Sequence, residues 1–325
     1  MNNFQQTENP CVSVCCLTYN HEKTVAQALD SIISQKTDFP FEIIVHDDAS
    51  TDKTQDIIRD YARRYPEIIK PVLQTENKMK QCNIEKTYIC PLVKGKYVAV
   101  CEGDDFWTDD SKLQLQVDYM EKNPDCTMTF HAVNQLNSDG SIMPYRPLKE
   151  DTDVLCDLII KRGGMFCPSA SLVLRADVFT QWPDFRSMAD VYDYPRQILS
   201  AYRGKVFYLD RIMACYRYGS SGSWTDKIKE KTDFQHVENE TAWLEEFNRY
   251  SHGAYENAIN YHFAHLWFTE YRKNLEKGSQ KKAKQYIKKL SFKEGMVFRV
   301  FLLMFSVFGK RTNKIWELLK RTVLK

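Results

Sequence analysis

The sequence predicts an α/β fold, a Rossmann-like and mostly parallel sheet flanked by helices, with a helical extension at the C-terminal end. Three observations lead to this prediction. Between residues 12 and 120, short apolar runs alternate with segments of helical periodicity, which is typical of strand and helix repeats around a parallel sheet. A group of polar residues follows each apolar run. From about residue 226 onward the pattern is helical and charged.

The elements follow one another in a regular order. Strands are predicted at VSVCCL (12–17), FEIIVH (41–46), IIKPVLQ (68–74) and KYVAVC (96–101). Pro71 favours an edge position for the third strand, because proline cannot donate to a sheet ladder. Helices are expected after each strand, from apolar residues at helical spacing around 25–33, 57–65, 84–92 and 113–120. Asp109 and Asp110 precede the last of these and suit a helix N-terminus.

The alternation of apolar runs and helical segments becomes less regular after residue 130. The segment KVFYLDRIMACYRY (205–218) is predicted as two short strands around Asp210 and Arg211. We therefore expect residues 1–225 to form one α/β domain, with a ligand-binding half at 11–125 and a second half at 126–225. Residues 226–325 are expected to form a helical region.

Composition excludes several classes of protein. The 325-residue chain has a net charge of only +2, so it lacks the basic footprint of a nucleic-acid-binding protein. The start, MNNFQQTENP, has no positive and apolar signal-peptide pattern, which predicts a cytoplasmic protein. Its ten cysteines form no CxxC pair or zinc spacing, and we expect them to be reduced and mostly buried.

Polar residues follow all four predicted strands. They are Thr18-Tyr19-Asn20, Asp47-Asp48, Glu76-Asn77-Lys78 and Glu102-Gly103-Asp104-Asp105. In an open parallel sheet, ligands bind at the carboxyl ends of the strands, so these loops should converge on one crevice. The alternative, that polar residues simply populate loops, would explain one such loop more readily than four.

The acidic loop at 102–105 indicates which ligand the crevice binds. No glycine-rich phosphate-binding pattern, GxGxxG or GxxxxGK[ST], occurs in the chain. Clustered carboxylates repel a bare anion and each other, and a divalent cation removes both problems. Mg²⁺ and Mn²⁺ take carboxylate and phosphate oxygens together. The residues therefore predict a metal-bound diphosphate.

Three segments carry a family resemblance: VSVCCLTYNHEKTVAQALDSIISQ, FEIIVHDDASTDKTQDII and GKYVAVCEGDDFWTD. They resemble the N-terminal half of family 2 glycosyltransferases of the GT-A fold, which transfer sugars from nucleotide-sugar donors. The resemblance covers about residues 11–125, and it extends more weakly to 192–218, which is similar to the acceptor-side segment of bacterial members. The last hundred residues lie outside it.

The resemblance implies a nucleotide-binding site at the first two loops. Thr18, Tyr19 and Asn20 would lie against the nucleotide together with Asp47 and Asp48, and the first of the two aspartates would accept a base N–H.

The resemblance also implies the reacting groups. Glu102 and Asp104 stand at the family's D-x-D motif, with Asp105 beside them, and would hold Mn²⁺ or Mg²⁺ on the diphosphate. Glu replaces the usual Asp at 102, so Glu102 either binds the cation or contacts the ribose or a metal-bound water. Asp193 falls where the family carries its general base, which would deprotonate an acceptor hydroxyl and invert the anomeric centre.

The function expected from the resemblance is metal-dependent, inverting transfer of one sugar from a nucleotide-diphosphate sugar. UDP is the nucleotide that the resemblance favours. The acceptor would be a glycan or a lipid-linked glycan in bacterial cell-surface polysaccharide synthesis, such as lipopolysaccharide or capsule. The QxxRW signature of processive synthases is absent. Two alternatives stay open: a non-catalytic subunit that binds nucleotide sugars, and a sugar nucleotidyltransferase.

The C-terminal segment has two interpretations. MVFRVFLLMFSVF (296–308) is too short and too charged to span a bilayer comfortably, and a basic stretch with Trp316 and Leu319 follows it. This region could lie on the anionic inner face of the plasma membrane, or it could form a helix docked on the protein with a solvated basic face.

Overall fold

The computed structural model describes residues 9–79, 81–219 and 234–276. Its central feature is a ten-stranded mixed sheet. The first half of the sheet is parallel and has the order β3-β2-β1-β4. These strands are β1 (Val12–Thr18), β2 (Phe41–Asp47), β3 (Ile69–Leu73) and β4 (Tyr97–Val100). All four agree with the predicted strands, and β3 lies at the edge of the sheet, as Pro71 predicts.

The second half of the sheet mixes strand directions. Its strands are β5 (Phe106–Trp107), β6 (Cys126–Asn137), β7 (Ile142–Tyr145), β8 (Thr152–Val154), β9 (Val173–Arg175) and β10 (Lys205–Tyr218). The short β9 runs antiparallel between β4 and β6, and β10 pairs in parallel with β6. The prediction of two strands at 205–218 was wrong. The polar pair Asp210 and Arg211 lies in a register irregularity between Leu209 and Ala214, where the pairing with β6 shifts without ending the strand.

Nine α-helices occur within the described residues. They are α1 (Val25–Ile33), α2 (Thr54–Arg64), α3 (Lys112–Lys122), α4 (Cys156–Arg162), α5 (Ala176–Phe179), α6 (Asp184–Met188), α7 (Asp193–Arg203), α8 (Phe234–Tyr250) and α9 (Glu256–Glu276). The helix expected at 84–92 is a π-helical turn, Glu85–Ile89, followed by a 3₁₀ turn, Cys90–Leu92, because Pro91 has no N–H to continue the helical bonding.

The core lies where helices cover the parallel strands. β1 and β2 are buried at almost every position, so both faces of the sheet are covered. Helix α1 buries Val25, Ala28, Leu29 and Ile32 along one side, which is the spacing that the sequence predicted. All ten cysteines are free thiols.

The chain divides into two compact units. The first contains the sheet and, among the described residues, runs to Gly219, apart from Ile160–Gly163 and Met188–Asp190. The second contains those two short segments together with α8 and α9. Within the described ranges, no helix is both long and apolar enough to cross a bilayer. The predicted domain boundary near residue 226 and the basic segment at 296–325 lie outside the described residues.

Candidate functional site

The ends of β1 and β2 are joined by side-chain hydrogen bonds. The Thr18 hydroxyl donates to Oδ2 of Asp47 at 2.9 Å. Asp47 is completely buried, and it also accepts bonds from the backbone N–H of Ser50 at 2.9 Å, from the Ser50 hydroxyl, and from the Gln55 amide at 2.7 Å. Four donors fill the lone-pair positions of a carboxylate, so Asp47 fixes the loop after β2. The contact of Asp47 with a nucleotide base stays a prediction. It requires that a base N–H replace one of these four donors.

The loops after β1 and β2 are braced a second time at their tips. Asn20 donates its backbone N–H to Oγ of Ser50, and its Oδ1 accepts the N–H of Thr51, both at 2.8 Å. Asn20 and Ala49 have positive φ angles of 57° and 60°. Asparagine tolerates this region, whereas alanine is strained in it. Tyr19 and Asn20 lie on the accessible side of the pair of loops.

Asp48 connects the loop after β3 to the end of β2. It is 6% exposed, and its carboxylate accepts the backbone N–H of Lys78 at 2.7 Å and that of Met79 at 3.2 Å. The Asn77 amide donates to the carbonyl oxygen of Asp48 at 3.2 Å. The second and third polar loops therefore meet at Asp48.

The acidic loop packs directly on the loop after β1. The N–H of Gly103 donates to the carbonyl of Leu17 at 2.9 Å. A Cβ atom at Gly103 would lie 2.5 Å from Cγ2 of Thr18 and 2.8 Å from Nδ1 of His21, so this close approach requires glycine. All four predicted loops are thereby linked at the carboxyl edge of the parallel strands.

Negative charge is concentrated in the acidic loop. Glu102 and Asp104 are half-buried, and Asp105 is 1% exposed. Burial raises the pKa of Glu102 well above its ordinary value, and the charges of Asp193, Asp104 and Asp105 raise it further. Burial likewise raises the pKa of Asp105, with Asp104 adding to the effect. The loop therefore favours the uptake of positive charge, either protons or a cation.

Arg217 supplies one positive charge to this loop. Its backbone N–H donates to Oδ1 of Asp105 at 2.8 Å, and its guanidinium donates to the carbonyl oxygen of Asp104. The guanidinium also bonds Oε1 of Gln27 at 2.5 Å and lies 4.8 Å from the centre of the Phe106 ring. Strand β10, which carries Arg217, thus fastens the acidic loop to helix α1.

Asp193 is the first residue of α7, and its carboxylate is held at both oxygens. The Ser169 hydroxyl donates to Oδ2 at 2.5 Å, and the Arg196 guanidinium donates to Oδ1. The side chain is still 25% exposed. Ser169 begins the 3₁₀ turn Ser169–Ser171, and the carbonyl oxygen of Leu172, directly after that turn, accepts the N–H of Val100 at 3.2 Å, at the end of the strand that leads into the acidic loop. The structure therefore places the predicted base and the acidic loop in one region of the first unit.

The acidic loop can provide part of a metal site. Within the described residues, no group of three His, Cys, Asp or Glu side chains could hold a metal ion. Among the residues that the structure describes, Oδ2 of Asp105 is buried without a hydrogen-bond partner, and Asp104 is partly exposed. These oxygens suit Mg²⁺ or Mn²⁺, whose remaining ligands would be water and diphosphate oxygens. The donor set thus fits a cation that arrives with a diphosphate.

Two residues of the site had no specific role in the sequence interpretation. His21 has its Nδ1 buried without a partner among the described residues, and burial lowers its pKa although Asp104 opposes that shift. Arg217 was placed by the resemblance in a family segment, but its contact with the acidic loop joins residues 112 positions apart. No local spacing could reveal that contact. The histidine in TYNHEK, one residue after three predicted site residues, was the available signal for His21.

Fold and loops together define the class of protein: an α/β protein with an acidic candidate site at the carboxyl ends of its parallel strands. Residues 13–182, more than half of the chain, match the family described as Glycosyl transferase family 2. The chain belongs to this family, which confirms the resemblance seen in the sequence.

The chain is also similar to individual proteins. The uncharacterized protein Rv1520 of Mycobacterium tuberculosis is 34% identical over 224 residues, which is 69% of this chain and 63% of that protein. The chain therefore spans somewhat less than two thirds of that relative. The UDP-Glc:alpha-D-GlcNAc-diphosphoundecaprenol beta-1,3-glucosyltransferase WfaP of Escherichia coli is 33% identical over 110 residues, covering 34% of this chain and 41% of WfaP.

Solved structures confirm the predicted GT-A fold. Residues 1–349 of TarS from S. aureus, in complex with UDP-GlcNAc, superpose with a TM-score of 0.63 at 17% identity, covering 86% of this chain and 81% of that one. The mannosyltransferase PcManGT from Pyrobaculum calidifontis, in complex with GDP-Man and Mn²⁺, gives a TM-score of 0.55 at 14% identity over 97% and 85% of the two chains. At these identities the likeness concerns the fold alone.

Proposed function

We propose that this chain is an inverting, metal-dependent glycosyltransferase that moves one sugar from a nucleotide-diphosphate sugar to a glycan or lipid-linked acceptor. Family membership supports glycosyl transfer. The UDP donor named for WfaP and the UDP-GlcNAc bound to TarS support a uridine nucleotide. The diphosphoundecaprenol acceptor of WfaP supports a lipid-linked acceptor and a role in cell-surface polysaccharide synthesis.

A single observation carries the proposal: the carboxylate of Asp193, 25% exposed, is bonded to Ser169, in the 3₁₀ turn that leads to the contact with the end of β4, directly before the acidic loop. Transfer needs a cation-binding group on the leaving diphosphate and a base on the acceptor side. The acidic loop supplies the first, and Asp193 supplies the second. A sugar nucleotidyltransferase would need a glycine-rich, basic loop after the first strand, and the segment LTYNHEK (17–23) does not have that composition.

The side chains would act as follows. Thr18, Tyr19 and Asn20 line the nucleotide end, next to the loop that Asp47 and Asp48 organise. At the other end, Asp193 would accept the proton of the acceptor hydroxyl as that oxygen attacks the anomeric carbon from the face opposite the diphosphate. Attack from the opposite face inverts the configuration.

Asp104, with Asp105 and Glu102 beside it, would hold Mn²⁺ or Mg²⁺. A bound cation neutralises the charge that develops on the leaving nucleoside diphosphate. Two observations support this assignment: the buried Oδ2 of Asp105 has no hydrogen-bond partner in the described part of the chain, and Asp104 is partly exposed. Mn²⁺ in the PcManGT complex is consistent with it.

The test has two stages on the full chain. First, thermal shifts are measured with UDP, UDP-Glc, UDP-GlcNAc and GDP-Man, each with Mn²⁺ and with EDTA. We expect stabilisation by a nucleotide that requires the metal. Second, release of the nucleoside diphosphate is measured for the wild type, Asp193→Asn and Asp184→Asn. Asp184 is exposed and is the first residue of α6, so it matches Asp193 in its position on a helix.

We expect Asp193→Asn to bind the donor normally and to lose about 10²- to 10⁴-fold in turnover, while Asp184→Asn behaves like the wild type. Unchanged transfer by Asp193→Asn would refute the assignment of the base. Donor binding without transfer by the wild-type chain, on every acceptor tested, would favour a non-catalytic binding subunit.

A further inference from the structure

Asp193 is the outermost of four side chains that alternate in charge, and the other three are buried. Arg196 bonds Oε1 of Glu85 at 2.7 Å through one terminal nitrogen and Oδ1 of Asp193 through the other. Arg186 bonds Oε2 of the same glutamate at 3.3 Å. Arg186 and Arg196 have no exposed surface, and Glu85 is 2% exposed. The order Arg186, Glu85, Arg196, Asp193 therefore runs from the protein interior to the edge of the site.

The four charges sum to zero, which is what allows them to be buried. An isolated buried ion is very costly, and a partner left alone destabilises a protein strongly. Glu85 therefore has a clear role in holding Arg196, and Arg186 in holding Glu85. Arg186 also lies 3.8 Å from the centre of the Trp182 ring and bonds the carbonyl of Phe179 at 2.6 Å, which fixes the inner end.

At the outer end, the arrangement leaves Asp193 a single orientation. Arg196 donates to Oδ1, and the Ser169 hydroxyl donates to Oδ2 at 2.5 Å. These donors come from α7 and from the 3₁₀ turn Ser169–Ser171. A carboxylate with 25% exposure and no such partners could rotate away from the site.

We propose that Arg196 and Ser169 are positioning residues for glycosyl transfer, and that Glu85 with Arg186 forms the buried anchor that keeps Arg196 in place. The inference rests on the proposed function, because it assumes that Asp193 is the base. It adds that transfer depends on side chains that touch neither substrate. Misplacement of a reacting group by about 1 Å can cost about 10²-fold in rate, so this dependence should be measurable.

The test compares Arg196→Lys and Ser169→Ala with the wild type in kcat, in KM for the donor and in melting temperature. Lysine keeps the charge but lacks the planar fork whose two terminal nitrogens bond Glu85 and Asp193, and Ser169→Ala leaves every buried charge paired. We expect kcat to fall about 10- to 100-fold for Arg196→Lys and severalfold for Ser169→Ala, with the donor KM within about threefold of the wild type in both. Arg175→Lys is the matched control, since Arg175 is an arginine of β9 that bonds the carbonyl of Cys126 at 2.7 Å.

The same substitutions are then made in the Asp193→Asn background. Because Arg196 and Ser169 act through Asp193, they should cause no further loss there. A further loss of the same size, or an unchanged kcat in the wild-type background, would overturn the inference while leaving the proposed function intact. Full activity of Asp193→Asn would overturn both the inference and the assignment of Asp193 as the base. If Arg196→Lys does not fold, Ser169→Ala alone decides between these outcomes.

Discussion

The buried amine of Lys112 lowers the free energy of unfolding, so replacing this residue should stabilise the protein. It is the first residue of α3, has no exposed surface, and its Nζ has no hydrogen-bond partner among the described residues. That nitrogen lies 4.2 Å from the centre of the Trp107 ring. Burial lowers the pKa of Lys112 from 10.5 to about 7. We expect Lys112→Met to be more stable than the wild type at neutral pH, since methionine fills similar space without a charge.

The size of the gain follows from proton linkage. Between pH 7 and 10.5 the unfolded chain holds a proton on Lys112 that the folded chain lacks, so stability rises with pH across this window. The free-energy cost of Lys112 is about 4 kcal/mol at pH 7 and about 1 kcal/mol at pH 9.5. The loss of the cation–π contact with Trp107 subtracts roughly 0.5–2 kcal/mol from the gain at pH 7.

The assay is urea unfolding of the wild type, Lys112→Met and Lys122→Met at pH 7 and pH 9.5. Lys122 is the exposed last residue of the same helix and serves as the control. We expect Lys112→Met to gain on the order of 2–4 kcal/mol at pH 7, with most of the gain gone at pH 9.5 and with unchanged m-values. A variant less stable than the wild type at pH 7, or a gain that is independent of pH, would refute this reasoning.

Two further predictions concern the backbone of the site. Gly103→Ala places a methyl group 2.5 Å from Thr18 and 2.8 Å from His21, so we expect a loss of about 1–3 kcal/mol in unfolding free energy. The thermal shift by UDP and Mn²⁺ should shrink as well, and wild-type values for both quantities would contradict the packing described. Ala49→Gly relieves a φ of 60°, so it should raise the free energy of unfolding by roughly 0.5–1 kcal/mol after the entropic cost of glycine. Chemical denaturation measures this gain, and a clear loss would be the contrary result.

The parallel half of the fold could be predicted because its physical signal is local. Strands buried on both faces read as unbroken apolar runs, so β1, β2 and β4 begin and end within one residue of the predicted bounds. The π-helical turn at Glu85–Ile89 was read as an ordinary helix, because apolar spacing does not distinguish the two. Strand β5 was missed because two residues carry no periodicity.

The acidic loop and its neighbours were predictable for the same reason, since each polar group directly follows a strand. The contacts that complete the site could not be predicted from the sequence. Glu85 meets Arg196 across 111 positions, and Arg217 meets Asp105 across 112. Such pairs leave no pattern in a single sequence, because their spacing depends on the whole topology of the sheet.

The long reach of Arg217 also has a consequence for biosynthesis. A nascent chain exposes Asp104 and Asp105 more than one hundred residues before Arg217 leaves the ribosome. Contacts of such high sequence separation form late, because the intervening loop must be closed first. A fragment ending at residue 182, the limit of the family match, would contain the acidic loop but neither Arg217 nor Asp193. During synthesis the acidic loop is therefore present before its positively charged partner, and the site is complete only when β10 has been made.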